Sequence, residues 1–141
     1  MDNLDLSIIE FLSKNSRTPF MQIAKKLKVS ESTIRKRVAN LENSGIIKKY
    51  SVVLEPSKLG YSHAIVGIDV KPEKFLDVAK SLTEFENVKF VATSTGDHMI
   101  MTEIWMEKAS DLRDFISNQI GKMDGVTRTC PAIINEKLKE I

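Results

Sequence analysis

The chain of 141 residues has few of the side chains that support disulfides, metal sites or catalysis. It contains one cysteine, Cys130, and two histidines, His63 and His98. One thiol cannot form a disulfide within the chain, and this set is too small for a structural zinc site. A single cysteine is typical of a reducing compartment. We therefore expect a cytoplasmic protein with neither a metal nor another cofactor.

Long apolar runs are also missing. No stretch approaches the roughly 20 apolar residues that a transmembrane helix needs. The first residues include Asp2 and Asp5, where a signal peptide would be basic. The sequence therefore predicts no membrane partner and no export.

Catalytic motifs are not recognisable in the sequence. It has no glycine-rich phosphate loop, no metal pair and no nucleophile elbow. The isolated candidates for catalysis are Asp97, His98, Glu103 and Cys130. A lone histidine beside an aspartate in a hairpin is more often a turn or ligand contact than an acid/base pair, so we expect a protein that is not an enzyme.

Charge is distributed unevenly along the chain. Residues 1–50 carry ten Lys and Arg against five Asp and Glu, whereas residues 51–141 carry eleven against fourteen. A basic module favours a polyanion as its partner. We predict a DNA-binding domain over residues 1–50, a strand-like linker over residues 51–60, and a second domain over residues 61–141 with a different role.

Residues 18–50 predict two helices joined by a tight turn, and another helix precedes them. In the last helix, Ser30 is placed to cap the first turn, and an apolar stripe recurs at helical spacing. The opposite face is polar near the helix N-terminus, as in the helix of a helix-turn-helix that enters the major groove. The alternative is a surface helix that is polar for solubility alone. The predicted DNA-contacting residues are Thr18, Ser30, Ser32, Thr33, Arg35, Lys36, Arg37 and Asn40.

From Tyr61 the pattern predicts strand, helix, two strands, helix and strand. This is the βαββαβ order of a ferredoxin-like domain, with both helices on one face of an antiparallel sheet. The predicted fold class is α+β, with an N-terminal helix-turn-helix head that resembles a winged helix and a C-terminal ferredoxin-like domain.

The third predicted strand is apolar on both faces, although a sheet covered on one side should have a polar open face in a monomer. We therefore predict that two chains pair through their sheets. The alternative is that these side chains lie under the linker or the head. The predicted interface residues are Met99, Met101 and Trp105.

The order and spacing of these motifs resemble the Lrp/AsnC family of prokaryotic transcription regulators over nearly the whole chain. The features that carry the resemblance are Asp2-Asn3-Leu4-Asp5, the head segment 29–47, Leu59-Gly60, Thr95-Gly96-Asp97 and Gly125-Val126. The resemblance implies a sequence-specific regulator of amino-acid metabolism that binds double-stranded DNA as a homodimer, assembling further into tetramers or octamers. A chromatin-like architectural DNA-binding protein without an effector is the alternative.

The resemblance also implies that residues 61–141 form an effector-sensing and oligomerisation domain, with an amino acid bound at the oligomer interface. The implied effector residues are Thr95, Gly96, Asp97, His98, Met99, Thr127, Arg128 and Thr129. Gly96 would let a backbone N–H approach a carboxylate, and Asp97 would receive an ammonium group; alternatively, these two residues only close a hairpin. The family's turn reads Thr/Ser-Gly-Asp-aromatic-Asp, whereas here Met99 replaces the second carboxylate.

Overall fold

The computed structural model describes residues 1–140, which form two compact units. One unit comprises Met1–Val53 together with the last described residues from Lys139, and the other comprises Leu54–Leu138. Within the described range, no helix is long and apolar enough to cross a membrane.

Three helices build the first unit. They are α1 (Asn3–Lys14), α2 (Phe20–Leu27) and α3 (Glu31–Asn43). A capping box begins α1, since the Asp5 backbone N–H donates to the Asp2 carboxylate at 3.0 Å and the Asp2 backbone N–H donates to the Asp5 carboxylate at 3.0 Å. These bonds satisfy N–H groups that the first turn of a helix leaves without partners.

The core of the first unit draws on all three helices. Its buried residues are Ile8, Leu12, Ile23, Ala24, Ile34, Val38 and Leu41. Full burial of a side chain such as Ile8, Ile23 or Ile34 contributes about 1.5–3 kcal/mol. The apolar stripe predicted for the last helix, formed by Ile34, Val38 and Leu41, therefore packs inward and directs the polar face of α3 to solvent.

The segment predicted as a strand-like linker contains no β-strand. Residues 51–55 belong to no regular element, and Pro56–Leu59 form a short 3-10 helix. Val52 and Val53 are 74% and 61% exposed. The apolar run around them suggested a strand, but a strand also needs a neighbour for its backbone hydrogen bonds.

The second unit follows the predicted βαββαβ order. Its strands are β1 (Ser62–Val70), β2 (Val88–Thr93), β3 (Ile100–Met106) and β4 (Val126–Ile133), and its helices are α4 (Phe75–Leu82) and α5 (Ala109–Asp114). A 3-10 turn, Pro72–Lys74, leads into α4, and a π-helix, Phe115–Ile120, continues α5. Helix α5 begins at Ala109 without a side-chain cap, and Ser110 lies inside its first turn.

All strand pairs in the sheet are antiparallel, in the order β2-β3-β1-β4. The helices cover one face, where the sheet contributes Ala64, Val66, Ile68, Ile100 and Ile104 to the core and the helical segments contribute Val78, Leu82, Leu112, Phe115, Ile116 and Ile120. The other face, which we call the open face, carries the alternate residues of each strand. The α+β fold class and the ferredoxin-like order are confirmed.

Candidate functional site

The polar face of α3 is fixed at its start by Ser30. The Ser30 hydroxyl accepts a hydrogen bond from the Thr33 backbone N–H at 3.1 Å. It also lies 2.9 Å from the Ser32 hydroxyl and 2.7 Å from the Thr33 hydroxyl. Three of the predicted DNA-contacting residues thus form one hydroxyl cluster at the helix N-terminus, where the helix dipole favours an anion such as a phosphate.

Two further residues of the predicted DNA-binding set make contacts within the head. Arg35 forms an ion pair with Glu31 at 2.8 Å and lies 5.4 Å from the centre of the Phe20 ring. Thr18 donates its hydroxyl hydrogen to the Asn15 carbonyl at 2.7 Å. Both remain at the surface or near it, so neither contact excludes a phosphate contact.

Lys36 and Asn40 are exposed on the same side of α3. Within residues 1–140, neither side chain forms an ion pair or a hydrogen bond. They are therefore the residues of the predicted set that are most available to a partner.

Arg37 differs from the rest of the predicted DNA-binding set. Its Nη1 donates to Asp2 Oδ2 at 2.7 Å and to Asp5 Oδ1 at 3.2 Å, and thereby ties α3 to the start of α1. The Asp5 backbone N–H and then the Arg37 guanidinium hold the pKa of Asp2 below its ordinary value of 3.8. A phosphate would have to compete with two carboxylates for Arg37, so this residue has a structural role in joining α3 to α1.

We expect Arg37→Ala to lower the thermal midpoint of the full chain near neutral pH. The pKa of Asp2 is lowered in the folded state. Its contribution to the free energy of unfolding is therefore present above pH 3.8 and is lost as the pH falls through the lower folded-state pKa. The difference between wild type and variant should therefore shrink on acidification. Melting curves followed by circular dichroism at about pH 7 and about pH 3 measure both effects.

Lys36→Ala is the matched control, since it removes the neighbouring positive charge without breaking an ion pair within residues 1–140. Its midpoint should equal that of the wild type. Equal midpoints for wild type and Arg37→Ala near neutral pH would contradict the structural role.

The predicted effector residues meet at one end of the sheet. Ile68 of β1 pairs with Ile100 of β3 on one side and with Thr129 of β4 on the other. The turn 94–99, which precedes β3, and the start of β4 therefore flank the end of β1. Thr95, Gly96 and Asp97 are exposed in this turn, and Gly96 has φ +144°, which favours glycine.

The effector residues do not all face the same way. Thr129 pairs with Ile68, which faces the helices, whereas Arg128 pairs with Asp69 on the open face. Met99 is half-buried and packs against the helix-side core, rather than lining the open face as the predicted interface requires. Strand alternation predicted otherwise, because it assumed that β3 begins before Ile100.

His98 is the residue of this turn that reaches the open face. Its Nδ1 lies 3.1 Å from Asp69 Oδ1, and its ring lies over Gly67, where a β-carbon would overlap the imidazole. Sequence reasoning missed both Asp69 and Gly67. Gly67 could have been singled out from the sequence, since an isolated glycine inside an apolar strand often marks the close approach of another group.

The rest of the open face is largely apolar. Ile65 and Phe90 are 38% and 53% exposed on either side of Glu103, and Met101 is half-buried between Gly67 and Ala92. Trp105 packs against Tyr61, with ring centres 6.1 Å apart, and donates to Glu103 at 2.9 Å. Part of the predicted interface at Trp105 is thus covered by residues of the same chain.

Comparisons with known proteins agree with this architecture. Residues 1–42 match the family model of the AsnC-type helix-turn-helix domain, and residues 63–140 match that of the Lrp/AsnC ligand binding domain. The chain is 56% identical over 140 residues to the HTH-type transcriptional regulator LrpA of Pyrococcus horikoshii, covering 99% of each protein.

Solved structures show the same fold. AsnC of Escherichia coli matches with a TM-score of 0.84 and 27% identity, over 100% of this chain and 96% of that one. A transcriptional regulator of Neisseria meningitidis, solved as a complex with L-Met, matches with a TM-score of 0.86 and 19% identity, over 99% of this chain and 93% of that one.

A helix-turn-helix head on a ligand-binding α/β domain defines a DNA-binding transcription regulator. The chain belongs to the Lrp/AsnC family. Since its relatives are named as transcription regulators, the protein is a regulator and not an enzyme.

Proposed function

We propose that this regulator controls genes of amino-acid metabolism and that its DNA binding responds to an amino acid. In this proposal residues 1–50 read DNA in the cytoplasm, residues 51–60 link the domains, and residues 61–141 bind the effector and assemble the oligomer. The observation that carries the proposal is the convergence of the turn 94–99 and residues 127–129 at one end of the sheet.

The chemistry at this end of the sheet suits an α-amino acid. Asp97 supplies a carboxylate for an ammonium group, and Arg128 supplies a guanidinium for a carboxylate. Gly96 leaves the backbone open to close approach by a ligand. The Neisseria meningitidis regulator, which shares the fold, was solved with L-Met, and this supports an amino acid as the class of ligand.

On the DNA side, the exposed face of α3 supports major-groove binding. We propose that Ser32, Thr33 and Lys36 approach base edges. Ser30, Arg35, Asn40 and Thr18 would then mainly hold phosphates. Arg37 would hold a phosphate only in competition with its ion pairs to Asp2 and Asp5.

Pairing of two chains through their open faces would present two heads to one DNA duplex. A homodimer of this kind favours a pseudo-palindromic site with half-sites about 34–36 Å apart. The apolar character of the open face around Ile65, Phe90 and Met101 supports such pairing. We also propose, from the family alone, that dimers assemble further into tetramers or octamers.

A calorimetric screen of the twenty amino acids tests effector binding. We expect one or a few to bind the wild type, and Asp97→Ala to weaken that binding about tenfold or more, as the loss of a hydrogen bond to a charged group implies. Asp111→Ala is the control, because it removes an exposed carboxylate on the helix side of the same domain. No binding by any amino acid would instead favour a regulator without an amino-acid effector.

A further inference from the structure

The His98 imidazole packs directly against the backbone of Gly67 on the open face, and only glycine at position 67 permits this. Gly67 is buried in the middle of β1, and any side chain there would collide with the imidazole. The imidazole is largely buried, with its side chain 22% exposed. The Ser94 hydroxyl donates to the His98 carbonyl, and the Ser94 backbone N–H donates to the Met99 carbonyl at 2.9 Å. These contacts hold the turn 94–99 in place against its own hairpin and against β1.

Asp69 is oriented by this histidine. Because a carboxylate oxygen only accepts hydrogen bonds, the contact of 3.1 Å requires that His98 Nδ1 carries the hydrogen and donates it to Asp69 Oδ1. The second oxygen of Asp69 receives no hydrogen bond from residues 1–140. The side chain is 24% exposed, so the carboxylate is held in place and still open to a ligand.

Arg128 lies directly across the β1–β4 ladder from Asp69. Side chains of directly opposite residues project from the same face, with Cβ atoms about 4.5–5.5 Å apart. Asp69 and the exposed Arg128 are therefore neighbours on one face, at the end of the sheet where the turn 94–99 lies. An α-amino acid carries its ammonium and its carboxylate on one carbon, and so presents the complementary pair of charges.

We propose that Asp69 is a ligand-binding residue of the effector site, where it accepts a hydrogen bond from the α-ammonium group of an amino acid. The inference rests on the proposed effector function. An ammonium group has three N–H donors, so Asp69 and Asp97 can share it. His98 keeps one oxygen of Asp69 engaged and directs the other towards the ligand, while Arg128 binds the ligand carboxylate. The site supplies its second carboxylate from β1, since position 99 of the turn holds a methionine directed into the core.

Calorimetry with two matched ligands tests the role of Asp69. The first ligand is the amino acid that binds the wild type most tightly, and the second is the 2-hydroxy acid with the same side chain, which lacks the ammonium group. Asp69→Asn is a suitable variant because its amide oxygen still accepts the bond from His98, while the ligand-facing oxygen is replaced by an NH2 donor and the negative charge is lost. We expect this variant to bind the amino acid about tenfold or more weakly, with a change of less than about threefold for the hydroxy acid.

Asp111→Asn serves as the control for removing a carboxylate elsewhere in the domain, and DNA binding reports that each variant is folded. Loss of the preference for the ammonium ligand in Asp69→Asn alone supports the proposal. An unchanged preference, or equal weakening of both ligands, overturns it while leaving the proposed function intact. If the wild type binds no amino acid, the proposed function fails and this inference fails with it.

Discussion

Met101→Glu should convert the protein from an oligomer into a monomer of 15.9 kDa. Met101 lies on the open face of the central part of the sheet, opposite Gly67 of β1 and Ala92 of β2. Ala92 is small, and the His98 imidazole occupies the space over Gly67, so Met101 is half-buried on the open face. In a symmetric pairing of open faces the same residue enters the interface from both chains, so one substitution buries two like charges.

The expected effect on assembly is large, because an unpaired charge in an apolar interface costs several kcal/mol. Light scattering at micromolar concentration should show at least twice the chain mass for the wild type and the chain mass for Met101→Glu. Loss of the second head also removes the avidity for a two-half-site operator. We expect affinity for such DNA to fall about a hundredfold or more.

Leu76→Glu is the matched control for this experiment. Leu76 is an apolar residue of α4 that is 76% exposed, and it lies on the helix side of the sheet. The same charge placed there should leave both mass and DNA affinity unchanged. A wild type that is a monodisperse monomer, or a Met101→Glu variant that stays oligomeric, would contradict pairing through the open faces.

Lys36→Ala should relax the sequence preference of DNA binding. Lys36 projects from the exposed face of α3 and, unlike Arg35 and Arg37, forms no ion pair within residues 1–140. Loss of a base contact costs about 1–3 kcal/mol of discrimination at one position of the site. Fluorescence anisotropy titrations at fixed salt, on the preferred sequence and on variants of each base pair, measure the change position by position.

Lys14→Ala is the control for Lys36→Ala. Lys14 is an exposed lysine at the end of α1 in the same head, and its loss removes the same unit of positive charge. It should weaken all sequences slightly and alike, through the salt-dependent phosphate term alone. If Lys36→Ala kept both affinity and sequence preference, the assignment of Lys36 to the groove would be wrong.

Much of the fold was predictable because hydrophobic periodicity records which face of an element is buried. The stripe formed by Ile34, Val38 and Leu41, and the alternation from Ala64 to Val70, are both buried in the structure. The linker was harder to predict, since the apolar residues around Val52 and Val53 do not indicate whether a neighbouring strand is present. The π-helix after α5 has no comparable signature in the sequence.

The candidate sites were predictable to a smaller extent because their side-chain contacts join distant parts of the chain. Arg37 was placed near the apolar stripe by helical spacing, but its bonds to Asp2 and Asp5 span more than thirty positions. Asp69 was not identified because its connection to the turn depends on strand register and on the absence of a side chain at Gly67. Register is a property of paired strands that local pattern alone does not record.

The two domains also differ in when each can be completed during synthesis. The head core draws on residues 4–47, and the bond from Arg37 to Asp2 joins two residues in the same half of the chain. In contrast, β1 at residues 62–70 must wait for its neighbour β4 at residues 126–133. Because ribosomes add about 5–20 residues per second, every residue of the head core is synthesised seconds before β4. A nascent chain therefore contains the core of its DNA-binding domain before the sheet of the second domain can form.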